Sequence, residues 1–311
     1  MINRLKNKLR TLIASQIEPC HDDLFMQIDL MKFEVGQLQA RLLRGQSITR
    51  LQEAEFKVFS QWGEDGIIQY LIRQVPMGDT SFIEIGVENY WESNTRFLLM
   101  NDNWRGLIVD GQDGHERFLE KSGLRWRYQI DPVTAFVNRD NINSIIAQAS
   151  FGGDIGLLSI DIDGMDYWVL EALTVVSPRI WVVEYNPRFG LKRSVTVPYD
   201  PAFSRTQAHY SNCYYGASLP AFCRLAESRG YQLVGIASSG NNAFFVRRDV
   251  CPEGWPRLEL RDIQLPRLPR EARNAEGSFS YLSSKQELEL LADMKVFDFD
   301  INQLLNIRSL D

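Results

Sequence analysis

The stretch that decides the fold lies at residues 230–247 and reads GYQLVGIASSGNNAFFVR. It contains two apolar runs, residues 231–236 and 243–247, which are joined by only a short Ser-Ser-Gly-Asn-Asn turn. Parallel strands need a crossover of about a dozen residues, so these two runs must pair as an antiparallel hairpin. The sheet that they complete therefore contains an antiparallel edge.

Upstream of the hairpin, helices alternate with short apolar runs rich in β-branched residues, which is typical of βαβ units and a parallel sheet. We predict strands at Ser81–Ile85, Gly106–Val109, Thr134–Val137, Gly156–Ile160, Ile180–Val183, Tyr231–Ile236 and Ala243–Arg247. We predict helices at Glu64–Val75, Thr95–Met100, Asn141–Ala149, Tyr167–Val176 and Ser218–Arg229. The fold class is thus α/β, with a doubly wound, Rossmann-like sheet of seven strands whose last strand is antiparallel.

Composition indicates a globular protein, because 44% of the 311 residues are apolar and 24% are charged. The net charge of −6 argues against nucleic-acid binding, which requires a basic face. No apolar segment approaches the ~18 residues of a membrane span, and the four cysteines have no zinc spacing, so we expect a soluble cytoplasmic protein. A basic amphipathic helix before Pro19 is expected to contact either the inner face of the membrane or a partner subunit.

Three parts are expected along the chain: N-terminal helices at 1–50, the α/β domain at 51–250, and an irregular tail at 251–311. In the first part an apolar seam repeats at intervals of 4, 3, 4, 3 and 4 residues, namely Leu24, Ile28, Met31, Val35, Leu38 and Leu42. This a/d spacing predicts a coiled coil and a homo-oligomer, although packing on the protein's own domain would use the same seam. The tail ends in a helix predicted from the capping box Ser284-x-x-Glu287, and it is assigned no chemistry.

Two predicted strand ends carry side chains suited to a nucleoside-type cofactor. Glu84 and Gly86 end the first strand, at the edge where open α/β sheets bind ligands, and glycine allows close backbone approach there. Asp110, followed by Gly111, ends the second strand, where a carboxylate can accept hydrogen bonds from both ribose hydroxyls. The alternative for each is a tight turn without a ligand.

Acidic side chains cluster after the fourth and fifth predicted strands. Asp161, Asp163 and Asp166 follow the fourth strand, while Glu184 and Asn186 follow the fifth. Oxygen ligands on neighbouring strand ends suit Mg²⁺ or Mn²⁺, which would hold the acceptor and lower the pKa of its hydroxyl. The alternative is a metal-free site in which Asp161 or Asp163 acts as general base.

A long irregular stretch between the fifth strand and the helix near Ser218 is predicted to be a lid that contacts the acceptor, since long loops usually carry function. It contains His209, a candidate general base because the ordinary pKa of histidine is near neutrality. A surface histidine without a role is the alternative.

Five segments resemble the bacterial FkbM-like class I S-adenosylmethionine-dependent methyltransferases and their relatives in polysaccharide gene neighbourhoods. They are SQWGEDG from residue 60, FIEIGVENYWESNT from residue 82, GLIVDG from residue 106, SIDIDGMDYWVLEAL from residue 159, and VPYD from residue 197 followed by YYGASL and NNAFFVR. Together they span residues 58–249, roughly two thirds of the chain.

The resemblance implies the methyltransferase type of sheet, S-adenosylmethionine as cofactor, and methylation of an oxygen on a sugar or other small hydroxylated acceptor in glycan biosynthesis. It also implies that Gln61 and Asp65 border the pocket, whereas the residues alone predict a helix cap and a first turn. This chain departs from many relatives in having a first loop that is poorer in glycine, Glu88-Asn89-Tyr90-Trp91. Asn94 and Thr95, at the start of the next helix, are therefore the expected donors to the methionine carboxylate.

By analogy with metal-assisted sugar and catechol methyltransferases, the metal ligands would be Asp161, Glu184 and Asn186. Three competing interpretations stay open. An NAD-dependent oxidoreductase is disfavoured because no GxGxxG follows the first strand. A glycosyltransferase would use Asp161-Ile162-Asp163 to hold a nucleotide-sugar through a metal, and a non-catalytic binding protein would assemble through the seam at 24–42.

Overall fold

The computed structural model describes residues 24–255, 258–265 and 271–310. The chain divides into two compact units, Met1–Gln46 and Ser47–Asp311. The second unit runs across residue 250, where the sequence placed a boundary, so the tail belongs to the same unit as the α/β core.

Helices and strands alternate along the second unit. The strands are β1 (Ser81–Ile85), β2 (Arg105–Asp110), β3 (Ile130–Thr134), β4 (Gly153–Ile160), β5 (Val176–Glu184), β6 (Val195–Thr196), β7 (Tyr231–Ile236), β8 (Asn242–Arg247), β9 (Lys295–Asp298) and β10 (Gln303–Asn306). With α1 at residues 24–43, the helices are α2 (Glu64–Gln74), α3 (Arg96–Asp102), α4 (Gly114–Ser122), α5 (Leu124–Arg127), α6 (Ile142–Gln148), α7 (Asp166–Ala172), α8 (Arg205–Ala208), α9 (Leu219–Ser228) and α10 (Ser284–Leu290).

The main sheet has the strand order β3-β2-β1-β4-β5-β8-β7. Strands β1 to β5 pair in parallel, and β8 runs antiparallel to both of its neighbours. Apolar clusters cover the sheet and join it to the flanking helices. The predicted doubly wound, methyltransferase-type sheet is confirmed, and its strand order reverses between β1 and β4, where such sheets bind ligands.

Strand β3 differs from its predicted position, Thr134–Val137, and ends where that prediction began. It contains Pro132, which has no N–H to donate and is disfavoured inside a sheet. Because β3 lies at the edge of the sheet and pairs only with β2, the missing donor breaks no ladder. The last helix is also shifted by one residue, since its capping box is formed by Ser283 and Gln286.

Two strands of the tail, β9 and β10, form a second, three-stranded sheet with β6 in the order β10-β9-β6. Its strands pack on a small apolar core that includes Val195, Cys213, Leu291, Val296 and Ile307. This core joins the tail to the segment that follows β5, so the tail supports the region predicted to be a lid.

Helix α1 is described by itself. Its predicted seam residues are all exposed, from 42% at Ile28 to 69% at Leu42. Oligomerisation through this seam stays a prediction, and the basic helix predicted before Pro19 lies outside the described residues. In the part of the chain that the structure describes, no helix is both long and apolar enough to cross a membrane.

Candidate functional site

The carboxyl ends of β1, β2, β4 and β5 open into a cavity of about 710 Å³, a size typical of ligand sites. Nine of the predicted site residues line it: Gln61, Glu84, Gly86, Asn94, Asp110, Gly111, Asp161, Asp163 and Glu184. The other three, Thr95, Asn186 and His209, do not belong to its wall.

The close approach of β1 to β4 requires a glycine at position 86. Its φ is +84°, and a Cβ built on it would lie 1.6 Å from the carbonyl oxygen of Asp161. On either side, the N–H of Gly86 donates to the Val109 carbonyl at 2.9 Å, and the N–H of Asp161 donates to the Ile85 carbonyl at 2.9 Å. Only glycine satisfies both the left-handed conformation and the lack of space.

Glu84 organises the turn that leads into α3. One carboxylate oxygen accepts the N–H of Asn94 at 2.8 Å, and the other accepts the Ser93 hydroxyl at 2.6 Å and the N–H of Thr95 at 3.1 Å. Burial raises the pKa of Glu84, and these donors oppose that rise. The prediction that Asn94 and Thr95 donate to a cofactor carboxylate is wrong for their backbone N–H groups, because Glu84 accepts both.

Asp110 links the end of β2 to the loop after β1. Its Oδ2 accepts the N–H groups of Val87 at 3.1 Å and Glu88 at 2.7 Å, while Oδ1 accepts the N–H of Gln112 at 2.9 Å. The residue is half-buried at the cavity wall. Both lone pairs of Oδ2 are used by these donors, whereas Oδ1 keeps one acceptor site, so a hydroxyl group of a ligand can still bind at Oδ1.

An apolar wall lies beside Asp110 and Gly111, formed by Val109, Ala135, Phe136 and Val137. The ring of Phe136 is 58% exposed, and it lies 3.5 Å from where a Cβ of Gly111 would be. A flat apolar surface beside a carboxylate suits a nucleoside. The sequence prediction missed Phe136, because the error in β3 placed this residue inside a strand.

Gln61 and Asp65 lie in different surroundings in the structure, and only Gln61 reaches the cavity. Gln61 lines the cavity, and its side-chain oxygen accepts a hydrogen bond from Asn241 at 3.3 Å. Asp65 lies away from the cavity, where its Oδ2 accepts the N–H groups of Val58, Phe59 and Ser60. Burial raises the pKa of Asp65 to about 6. The expectation that Asp65 borders the pocket is wrong, because this carboxylate caps a buried turn.

Three acidic side chains meet at the cavity wall, of which Asp161 and Glu184 line the cavity. Oxygens of Asp161, Asp166 and Glu184 all lie within 4.8 Å of one another. Burial, followed by repulsion from neighbouring carboxylates, raises the pKa values of Asp161 and Glu184. Burial raises that of Asp166 to about 6, although its oxygens accept the N–H groups of Ile162 and Gly164. The cluster can therefore take up a proton near neutral pH.

Asn186 is not part of this cluster, so the predicted ligand set Asp161, Glu184 and Asn186 is not brought together. Its side-chain amide donates to the carbonyls of Cys213 at 3.0 Å and Tyr215 at 2.9 Å, and its Oδ1 accepts the N–H of Arg188 at 3.1 Å. Asn186 caps the turn Pro187–Phe189 and is fully buried. Asp166 lies at the position that the prediction gave to Asn186.

The segment predicted to be a lid does reach the cavity, but through Phe203–Thr206 rather than His209. His209 shares a 2.7 Å hydrogen bond with Ser211 and stacks on Tyr210, and burial lowers its pKa. We therefore assign His209 no role as a base, since the residue does not face the cavity.

Arg205, in the segment predicted to be a lid, reaches the acidic side chains of the cavity wall. Its guanidinium donates to Asp163 at 2.5 Å and to Glu271 at 3.2 Å, and it lies 3.8 Å from the centre of the Tyr215 ring. Asp163 is thus ion-paired. Glu271, from the tail, completes the cavity wall. Nothing in the Pro-rich sequence around Glu271 signals this contact, which depends on tertiary folding.

Replacing Glu184 with glutamine tests the charge state of the acidic cluster. The pKa of Glu184 is raised in the folded protein, so native stability falls as pH rises from the ordinary glutamate value through that raised pKa. We expect Glu184→Gln to be more stable than the native protein near pH ~8 and equal to it near pH ~4. Urea unfolding at both pH values measures this, with the exposed Glu227→Gln as control. Parallel pH profiles for native and Glu184→Gln proteins would contradict the assignment.

No protein-family model matches the chain, and no curated protein matches it in sequence. Several solved structures are similar to part of it. An O-methyltransferase from Bacillus cereus, in complex with S-adenosylhomocysteine, is 16% identical with a TM-score of 0.38, over 69% of this chain and 89% of that one. The N-terminal domain of EvdMO1, in the presence of S-adenosylhomocysteine and D-fucose, is 12% identical with a TM-score of 0.37, over 68% and 94%.

A third structure, an O-methyltransferase family protein from Burkholderia thailandensis, is 13% identical with a TM-score of 0.36, over 59% of this chain and 57% of that one. Similarities at these scores establish neither activity nor substrate. The site must therefore be interpreted from its own geometry.

Proposed function

We propose that this protein transfers a methyl group from S-adenosylmethionine to a hydroxyl oxygen of a sugar or other small hydroxylated acceptor. One observation carries the proposal: a recess lined by Asp110 and apolar side chains shares one cavity with the acidic cluster at the strand-order reversal of a methyltransferase-type sheet. The sequence resemblance to glycan-associated methyltransferases supports the same acceptor class.

The residues of the recess fit this cofactor. Oδ1 of Asp110 would accept a hydrogen bond from a ribose hydroxyl, and Val109, Ala135 and Phe136 would enclose the adenine. Gly86 leaves bare backbone beside which the methionine part would lie. When bound, S-adenosylmethionine supplies an electrophilic methyl group on a positively charged sulfur.

The chain itself supplies the proton acceptor. Asp161 and Glu184 line the cavity side by side, and their raised pKa values make one of them a better base than an ordinary carboxylate. This pair would take the proton of the acceptor hydroxyl as the hydroxyl oxygen bonds to the methyl carbon and the bond from that carbon to sulfur breaks, with neutral S-adenosylhomocysteine as the leaving group. Phe203 and Arg205 on the lid would limit the access of water.

In a second form of the proposal, a divalent cation assists the methyl transfer. The oxygens of Asp161, Asp166 and Glu184 lie close enough to bind one ion, and Mg²⁺ or Mn²⁺ would orient the acceptor and lower the pKa of its hydroxyl. Methyl transfer after exhaustive chelation separates the two forms. Loss that Mg²⁺ or Mn²⁺ restores supports the metal, and full retention supports the carboxylate pair alone.

The charge of the cavity disfavours the glycosyltransferase alternative. Its wall contains eight carboxylates, Glu84, Glu88, Glu92, Asp110, Asp161, Asp163, Glu184 and Glu271, against two guanidiniums, Arg188 and Arg205. An anionic nucleotide-sugar would be repelled there, whereas S-adenosylmethionine carries a positive sulfur.

Asp161→Asn tests the role of the base. We expect kcat for transfer of a radiolabelled methyl group to fall about a hundredfold, because proton abstraction by a side chain contributes at least that much. Affinity for S-adenosylhomocysteine should change little, since the side chain lies at the acceptor end. Asp154→Asn, at the far end of β4, is the control. Activity of Asp161→Asn equal to the native value would remove the base from the mechanism.

A further inference from the structure

Glu184 and Asn242 lie opposite each other on the paired strands β5 and β8. Both line the cavity, and they are only 7% and 3% exposed. Each carries one buried oxygen, Oε2 of Glu184 and Oδ1 of Asn242, that finds no hydrogen-bond partner among the described residues. Two unsatisfied acceptors at one place are costly, so they indicate a ligand that donates.

The orientation of Asn242 is set by a third residue. Its Nδ2 donates to Oε1 of Glu64 at 3.0 Å, and Oε2 of Glu64 accepts the N–H of Trp62 at 2.9 Å. Because a carboxylate can only accept in these contacts, the amide nitrogen of Asn242 must face Glu64. The amide oxygen is therefore the atom left for a ligand.

Among the described residues, no side chain of the cavity wall donates a hydrogen bond to these two oxygens. The two guanidiniums of the wall bind other carboxylates: Arg188 contacts Glu287 and Glu271, and Arg205 contacts Asp163 and Glu271. Asp161 adds a further acceptor beside Glu184. A donor to Oε2 of Glu184 and Oδ1 of Asn242 must therefore come from the ligand.

We propose that the acceptor carries a protonated amine, bound by Glu184 and Asn242 next to the hydroxyl that is methylated. An ammonium group offers three donors and a positive charge, which matches the Glu184 carboxylate and the Asn242 amide oxygen and leaves Asp161 as the base. Side chains opposite each other on antiparallel strands have Cβ atoms about 5 Å apart, so one group can bridge them. This inference rests on the proposed function and names its substrate class, an amino sugar or a similar amino alcohol.

Matched sugars test the inference in the native protein near neutral pH. S-adenosylhomocysteine is titrated first, and D-glucosamine, D-glucose or N-acetyl-D-glucosamine is then titrated into the complex by calorimetry. We expect the dissociation constant of glucosamine to be at least about tenfold lower than those of the other two. Glu184→Gln and Asn242→Ala should remove this preference while S-adenosylhomocysteine still binds, and Glu227→Gln should keep it.

Equal binding of the three sugars, with S-adenosylhomocysteine bound, would overturn the amine and leave the methyltransferase proposal standing. If Mn²⁺ binds, requires Glu184 and prevents glucosamine from binding, the amine proposal is overturned and the site is a metal site. Failure of the first titration, with no binding of S-adenosylhomocysteine, would overturn both proposals.

Discussion

Gly86→Ala is expected to abolish S-adenosylhomocysteine binding and to lower the free energy of unfolding by about 3 kcal/mol. The new methyl group would lie 1.6 Å from the Asp161 carbonyl oxygen, so β1 and β4 must separate at the strand-order reversal. The left-handed φ of +84° adds its own cost for any residue with a Cβ. Urea unfolding and calorimetry measure the two effects.

Gly153→Ala is the matched control, because Gly153 has a φ of +68° but no atom within 4 Å of its added Cβ. Its free energy of unfolding should fall by only about 1 kcal/mol, the cost of a Cβ in the left-handed conformation. Its affinity for S-adenosylhomocysteine should not change. Equal losses in the two variants would show that the contact with Asp161 does not constrain the site.

Arg188→Leu is expected to lower the free energy of unfolding by about 4 kcal/mol. Arg188 and Glu287 form an ion pair of 2.7 Å with only 2% of each side chain exposed, and it ties the turn after β5 to α10 of the tail. Removing the guanidinium leaves Glu287 buried without a cation, which costs more than the pair gains. Urea unfolding gives the value.

Two further variants test the explanation of that loss. Arg188→Leu combined with Glu287→Leu should recover most of the loss, because two buried apolar side chains replace the pair. Arg261→Ala removes an exposed ion pair with Glu259, in which 78% and 54% of the side chains are exposed, and should cost under about 0.5 kcal/mol. A double variant as unstable as Arg188→Leu would contradict the buried-charge explanation.

Sequence predicted those features that depend on local pattern. The predicted bounds of β1 and β7 match the structure, because apolar runs between turn residues define them. The placement of Asp110, Asp161 and Glu184 at one cavity follows from parallel strands, whose carboxyl ends share an edge. Strand β3 was misplaced, since Pro132 is tolerated only because of an edge position that sequence does not reveal.

Features that depend on tertiary pairing were missed. Asn186 lies two residues after Glu184, so a continued strand would have put both on one face. The strand ends at Glu184 instead, and Asn186 turns inward to cap the next turn. The amide that joins Glu184 at the cavity is Asn242, brought there by the register of β5 with β8. Arg205 and Glu271 meet only when the tail folds beside the lid.

The most direct test of a methyltransferase cavity is a calorimetric titration of S-adenosylhomocysteine into the native protein and into Asp110→Ala. Asp113→Ala, a nearby carboxylate that pairs with Arg117 on the surface, serves as control. We predict an about micromolar dissociation constant for the native protein and Asp113→Ala, and at least about tenfold weaker binding by Asp110→Ala. No binding to the native protein, with stabilisation by NAD or a nucleotide-sugar instead, would contradict the account.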